Sequence, residues 1–335
     1  MPTLQDVAKY AGVSTATVSK VLSNTPYFSE TTRDKVLEAV AALGYRPNMA
    51  ARALSSGKTN IIAVVFPFIY DAIFKDPLVM RVLEGIEAVC TEEGYNILLS
   101  TPRLKDTKPE DHYLRLIQGG YIEGLIAIDN VPAVSFSQLA EACQVASIVL
   151  GHHEGDYRVQ SDNFHGGTLL MKAVLSHGHQ KIGMISVPAE MNIAIQQRLA
   201  GLLEVYKHTN LPFEIPIIES DFSSQGGANA ARKLLEQEPE LSAIIALNDR
   251  MAIGAMSAVQ QMGISIPEQL SVVGYDDIPI ASTTRPALTT INQTPVELGR
   301  AAAELLLARL NQASKPSNVV LRPQLVMRES LATRR

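Results

Sequence analysis

Two groups of side chains in this 335-residue chain have the types and spacing to do chemistry. The first is a set of polar and aromatic residues that each follow an apolar run. Asn248-Asp249-Arg250 follows Ala243–Leu247, and Tyr275-Asp276-Asp277 follows Ser271–Gly274. Phe222 follows Ile215–Ser220, and Arg198 lies in the helical stretch after Ile182–Ser186. Earlier in the chain the corresponding positions hold Asp71, Arg103, Asp129, Asn130, His152 and His153. If the apolar runs are strands of open parallel sheets, these residues stand beyond the carboxyl ends, where such sheets bind ligands. A guanidinium, an amide, a carboxylate and an aromatic ring converging in one cleft hydrogen-bond hydroxyls and cover one face of a sugar or base. Singly, each reads as well as a surface charge or helix cap, Asn248 and Asp249 above all. Only the set points to a ligand site.

The second group lies near the N-terminus. Leu4, Val7, Ala8 and Ala11 form one apolar helical stripe. Gly12 permits a turn with positive φ. Ser14 stands where an N-cap belongs, and Val13 and Val18 are spaced for a hydrophobic staple. Val18, Val21 and Leu22 give the second helix a buried side. Its other side, Thr15, Ala16, Ser19 and Lys20, is small, polar or basic. This is the pattern of a DNA-reading helix-turn-helix, or more plainly of an αα-hairpin in a bundle. Residues 1–60 carry seven basic and four acidic side chains, a net of +3 that leaves −8 for the rest of a chain of net charge −5. A basic head on an acidic body suits a nucleic-acid module joined to something else.

Enzyme signals are poor. No phosphate-binding, dinucleotide-binding, nucleophile-elbow or H-E-x-x-H motif occurs, so neither catalysis nor a cofactor is expected. His152-His153 and His177-Gly178-His179 lack further ligands for a metal, and Gly178 reads better as a residue just past a helix end. Cys90 and Cys143 sit in apolar surroundings as buried small hydrophobes, which suits a reducing cytoplasm and excludes a disulfide framework. The N-terminus runs straight into Leu4-Gln5-Asp6, with no signal peptide. The longest apolar run, Ile61–Ile69, is too short to span a bilayer.

The elements that would position these groups follow from periodicity. After a polar turn, Ser23-Asn24-Thr25-Pro26, Ser29 caps a third helix whose apolar side is Val36, Leu37, Val40 and Leu43, stopped by Gly44 and Pro47. Residues 48–54 form a short linker helix, marginal alone, that orders when something packs on it. From Ile61 the pattern alternates. Strands at Ile61–Phe66, Ile97–Leu99, Leu125–Ile128 and Val145–Leu150 interleave with helices at Leu78–Cys90 and His112–Gln118. Strands at Ile182–Ser186, Ile215–Ile218, Ala243–Leu247 and Ser271–Gly274 interleave with helices near Phe164–Ser176, Asn192–Tyr206, Gln225–Gln237 and Asp249–Met262. Continuous β-branched runs between helices imply parallel sheets covered on both faces. A break at Gly151–Asp162 divides the strands four and four into two doubly wound subdomains. A strong helix, Thr294–Leu310, and short strands near Val319–Leu321 and Leu325–Met327 close the chain.

The whole of residues 3–328 resembles the LacI/GalR family of bacterial transcription regulators. The resemblance rests on Leu4–Ser14 with Thr17–Leu22, on Gly44-Tyr45-Arg46-Pro47-Asn48 with Ala50, Arg52 and Leu54, and on a series of core motifs. Those are Asp162-Asn163, Gly178-His179, Arg198-Leu199-Ala200-Gly201, Asn248–Ala252, Ser271–Asp277 and Leu288–Ile291. It implies a small all-α helix-turn-helix domain at residues 1–47 and a hinge helix at 48–59. It further implies an α/β periplasmic-binding-protein-like core of two doubly wound parallel-sheet subdomains, 60–162 with 292–322 and 163–291 with 323–335.

What the resemblance implies for function is an allosterically controlled repressor, a cytoplasmic homodimer on double-stranded operator DNA. Thr15, Ala16 and Lys20, with Tyr27 beyond, take the base-reading positions in the major groove. Ser14, Thr17, Asn24 and Ser29 take phosphate contacts. Leu54 matches the hinge leucine that wedges into the minor groove. Arg198, Asn248 and Asp276 match the family's polar effector set, and Phe222 its stacking aromatic. Arg103 and His152 are added from the first subdomain, which departs from the family at Asp76-Pro77-Leu78-Val79 and at Gly151. A sugar or sugar derivative is the expected effector, with a purine or nucleoside second. From a different class, a solute-binding protein of the same core fold fails on the missing signal peptide and the DNA-like head.

Overall fold

A computed structural model describes residues 2–22, 28–46, 58–66, 74, 76–100, 109–128, 140–151, 157–188, 192–209, 211–313 and 318–334, without side chains at 109–113. The chain separates into two units, residues 1–59 and 60–335.

The first unit is three helices, α1 (Leu4–Ala11), α2 (Thr15–Leu22) and α3 (Glu30–Leu43). Each start is capped by a hydroxyl. Thr3 Oγ1 accepts from the Asp6 amide at 3.3 Å, and the Asp6 carboxylate accepts back from the Thr3 amide at 2.8 Å. That capping box lies ahead of the apolar stripe Leu4, Val7, Ala8 and Ala11. Ser14 Oγ accepts from the Thr17 amide at 3.1 Å, and Ser29 Oγ from the Thr32 amide at 3.3 Å. Gly12 and Gly44 take φ of 67° and 59°, the left-handed turn that ends α1 and α3. Val7, Ala8, Val18, Val21, Val36 and Ala39 are the core. One expectation fails: Leu37 is 48% exposed. The buried stripe of α3 runs Val36, Ala39, Val40 and Leu43, and Leu37 lies one residue, about 100° of helix rotation, off it.

The second unit holds two parallel sheets. The first contains β1 (Ile61–Val65), β2 (Asn96–Ser100), β3 (Gly124–Ile128), β4 (Ala146–Leu150), β5 (Arg158–Ser161) and β11 (Asn318–Leu321), in the order β11-β5-β4-β3-β1-β2. Helices α4 (Pro77–Glu92) and α10 (Pro295–Leu310) pack on one face, and α5 (Pro109–Gln118) belongs to the other. The second contains β6 (Ile182–Ser186), β7 (Ile217–Glu219), β8 (Ala243–Ala246) and β9 (Ser271–Val273), in the order β7-β6-β8-β9. Its helices are α6 (Asn163–Ser176), α7 (Ile193–Lys207), α8 (Ser224–Gln237) and α9 (Asp249–Gln261). An antiparallel pair, β10 (Thr290–Asn292) with β12 (Gln324–Val326), lies beside this sheet, and bridges join Val273 to Thr289 and Asp276 to Asn292.

Two strand expectations change. The stretch Gly151–Asp162 is not simply a break: it contains β5, so the first sheet has six strands. Arg158–Ser161 supplies one core aliphatic, Val159, too little apolar signal to stand out. The strand expected at Ile215–Ile218 begins at Ile217 instead, because Pro216 has no N–H to donate and contributes only its carbonyl, to the Met184 amide at 2.9 Å. The chain passes between the two halves three times, after β5, after β10 and after β11.

Reciprocal glycines set the helix spacing that fixes the cleft. A Cβ on Gly201 of α7 would collide with the Phe164 carbonyl of α6, and one on Gly167 of α6 with the Arg198 carbonyl of α7. The same exchange joins α4 to α10 through Gly85 and Gly299, and α8 to α9 through Gly227 and Gly254.

Candidate functional site

On the first unit, α2 buries Val18 and Val21 and exposes Thr15, Ala16, Ser19 and Lys20. Its first turn is built by Ser14 and Thr17, whose hydroxyls lie 2.8 Å apart. The Ser29 hydroxyl, besides capping α3, meets the hydroxyls of Thr31 and Thr32, each at 2.9 Å. Ser14, Thr15, Ala16, Thr17, Lys20 and Ser29 therefore stand at the starts and on the outer face of two helices. Asn24, Tyr27 and Leu54 lie outside the described residues.

In the second unit a cleft opens at the carboxyl ends of the two sheets. Arg198, Phe222, Asn248 and Asp276 all line it. Arg103 and His152 lie outside the described residues. Arg198 is the centre. It is 6% exposed, and Nε and Nη1 of its guanidinium are engaged by protein oxygens. Nε donates to Asn163 Oδ1 at 2.9 Å, and Nη1 donates to the Leu247 carbonyl at 2.7 Å and meets Asp276 Oδ1 at 3.3 Å. The plane lies over the Tyr275 ring, Cζ 3.8 Å from its centroid. Burying this charge is tolerable only because a carboxylate, two oxygens and a ring compensate it.

Asp276 is held by its backbone as much as by its partners. Its φ of 126° is a strained value for a residue with a Cβ, and the next residue, Asp277, is also left-handed at 55°. The loop is pinned from the Asp276 amide to the Ile291 carbonyl at 2.8 Å and from Asp277 to Arg328 at 2.6 Å. Gln293 Nε2 donates to Asp276 Oδ1 at 2.6 Å. Burial pushes the Asp276 carboxyl well above its usual range, against the pull of Arg198 and the Gln293 amide. Asn248 does two jobs: Oδ1 caps α9 by accepting from the Met251 amide at 2.7 Å, and Nδ2 donates to the Phe222 carbonyl at 3.3 Å. Capping and site geometry are thus one arrangement, and Phe222 sits half-buried beside it.

Other residues of the first set are drawn into structure. Asp249 is fully buried and does not line the cleft. It accepts from Thr290 Oγ1 at 2.5 Å and from the Ile278 amide at 2.9 Å, and burial pushes its carboxyl up to about 6. Arg250 reaches across to Asp76 at 3.7 Å, and Asp76 also caps α4 through the Leu78 amide at 3.0 Å. The Asp76-Pro77 pair that departs from the family pattern is therefore a helix start tied to the other half. Gly178, with φ of 81°, stands just past the end of α6, and His179 pairs through Nε2 with the Ala332 carbonyl at 3.0 Å.

Sequence reasoning missed Asn163, Asn192 and Gln293 as parts of this constellation, whereas Tyr275 was among the residues read past the strand ends. Asn163 stands in a motif that carries only the family likeness, and its role appears when α6 is brought against α7, while Asn192 caps α7 and lines the cleft. Gln293 follows β10, whose three residues gave no strand signal. No helix among the described residues is long and apolar enough to cross a membrane.

Two family models match the chain: bacterial regulatory proteins of the lacI family over residues 3–48, and a periplasmic binding protein-like domain over 171–331. The HTH-type transcriptional repressor PurR of Klebsiella pneumoniae is 33% identical over 340 residues, covering 99% of this chain and 97% of that protein. The PurR of Vibrio vulnificus is 31% identical, covering 99% of both. Among solved structures, the lac repressor dimer bound to operator and the anti-inducer ONPF matches with a TM-score of 0.86 at 27% identity, over 99% of each chain. The regulator CelR in complex with cellobiose matches at 0.72 and 28%, over 98% of this chain and 100% of that one. An Enterococcus faecium LacI-family regulator with bound ribose matches at 0.73 and 27%, over 82% of this chain and 100% of that one. With a helix-turn-helix head, a two-sheet ligand-binding core and relatives of this identity along its whole length, the chain belongs to the LacI family of bacterial regulatory proteins and is a DNA-binding transcriptional regulator, not an enzyme.

Proposed function

We propose that the protein works in the cytoplasm as a homodimeric repressor whose grip on operator DNA changes when a sugar or sugar derivative occupies the cleft. The convergence of Arg198, Asn248 and Asp276 on one cavity, with Phe222 beside them, carries this reading. A hydroxyl both donates and accepts, so a polyhydroxylated ring matches a carboxylate, an amide and a guanidinium at once, and an aromatic side chain covers its apolar face. Relatives seen with cellobiose and ribose support it. On the DNA side, Thr15, Ala16 and Lys20, with Tyr27, read the major groove. Ser14, Thr17, Asn24 and Ser29 meet phosphates, helix starts being natural anion sites. Leu54 enters the minor groove.

The test is a thermal-shift screen of the purified protein against mono- and disaccharides, with purine bases and nucleosides beside them. A ligand that binds only the folded state raises its melting temperature. A rise with one or more sugars, lost in Asp276→Asn, is the expected result. A rise confined to purines rejects the sugar reading.

A further inference from the structure

The polar set described so far comes from the second half of the core. The first half contributes mostly apolar side chains to the cleft, among them Phe66, Leu78, Ile128 and Leu150. Three residues break that pattern, and one of them, Asp76, is already committed to Arg250 and to the start of α4. Gln160 and Ser161, at the carboxyl end of β5, both line the cleft. Ser161 is 5% exposed. Gln160 Oε1 and Ser161 Oγ are shut off from solvent and have no hydrogen-bond partner among the described residues. Buried polar atoms are nearly always paired, and one left unpaired is held at a cost. Nothing in the local fold demands either group. Ser161 gives its backbone carbonyl to Asn163 Nδ2 at 3.2 Å, a contact any residue would make, and its hydroxyl adds nothing to it. Gln160 pairs in register with Val320 of β11 through main chain alone.

We propose that Gln160 and Ser161 are specificity-determining residues that bind the effector from the first half of the core. This rests on the reading of the cleft as the effector site. At the end of one strand, an amide and a hydroxyl offer one fixed acceptor and one group that both donates and accepts, so the class they recognise is a ligand with at least one hydroxyl or N–H directed at β5. A ligand held by Arg198 and Asp276 on one side and by Gln160 and Ser161 on the other is bonded to both halves of the core, and so favours one disposition of those halves. The Asn163 side chain joins the two groups: its Oδ1 accepts from Arg198 while its Nδ2 reaches the Ser161 carbonyl.

The experiment uses the full-length protein, as wild type, Gln160→Leu and Ser161→Ala. Each variant is melted alone and then titrated with every sugar, purine base or nucleoside that shifts the wild type. Removing an unpaired buried polar group relieves its cost, so the ligand-free variants are expected to melt higher, by about 2–4 °C. Affinity for the shifting sugar is expected to fall at least tenfold in both. A sugar analogue lacking one hydroxyl, bound more weakly by the wild type, is expected to lose less on going to Gln160→Leu. If only a purine compound binds, and binds less well in the variants, the sugar reading falls and the role of Gln160 and Ser161 stands. If nothing in the panel binds, the sign of the ligand-free melting shift decides. Variants that melt lower than the wild type when ligand-free, as structural residues do, or that bind as it does, overturn the proposal.

Discussion

At the scale of single residues, two buried aspartates divide the work of the core. Asp276 faces the cleft beside Arg198, whereas Asp249 is spent on holding Thr290 and the Ile278 amide. Burial raises the Asp249 carboxyl from 3.8 to about 6. The folded protein therefore keeps a proton that the unfolded chain sheds, and the stability this contributes is fully present below pH 3.8 and lost as pH rises through about 6. Asp249→Asn is expected to flatten the fall in melting temperature between those limits. Wild-type and variant curves that stay parallel across that window contradict the assignment. On α2, Lys20→Ala is expected to weaken operator binding while leaving the stability within about 0.5 kcal/mol of wild type, since Lys20 is exposed. Ala16→Gln is expected to change the preferred base at one position, a discrimination of about 1–3 kcal/mol, read by selection from randomised DNA. Residues of the site were legible where a strand end announced them, as with Asn248 and Asp276. Asn163 and Gln293 were not, because their roles arise from partners 35 and 17 positions away.

At the scale of elements, apolar periodicity was enough to place α4 to α10, and most strands, from sequence. It failed at β5 and β10, which are short, nearly free of aliphatics and held by their neighbours in the sheet. Periodicity is also silent about how closely helices approach. That information lies in Gly167 and Gly201, whose missing side chains let α6 and α7 meet backbone to backbone and bring Asn163 to Arg198. Gly201→Ala is expected to cost about 1–3 kcal/mol or more, because the Phe164 carbonyl is main chain and cannot rotate aside. It is also expected to weaken ligand binding by displacing Arg198. Chemical denaturation measures the first effect, and titration of the surviving folded protein measures the second. An unchanged midpoint would mean that the helices have room to part.

At the scale of the whole molecule, a small head with a net charge of +3 is joined to a larger acidic body that contains the cleft. The head accounts for salt-dependent DNA binding, with an affinity that falls roughly as the −0.9Z power of salt for Z phosphate contacts. The body accounts for control: a ligand that binds one conformation better than another shifts the population that holds DNA, and a coupling of about 1–3 kcal/mol corresponds to a 5- to 150-fold change in affinity. The sequence alone disclosed this division through its charge, its turn-linked N-terminal helices and its two series of strands. The measurement that bears most directly on the account is a fluorescence-anisotropy titration of operator DNA, selected from randomised sequence, with wild type and Asp276→Asn, each with and without a saturating cleft ligand. The wild type should change its operator affinity at least fivefold with ligand, whereas Asp276→Asn should match the wild type's ligand-free affinity and show no change. A variant that answers the ligand as the wild type does would contradict the claim that this cleft controls the DNA-binding head.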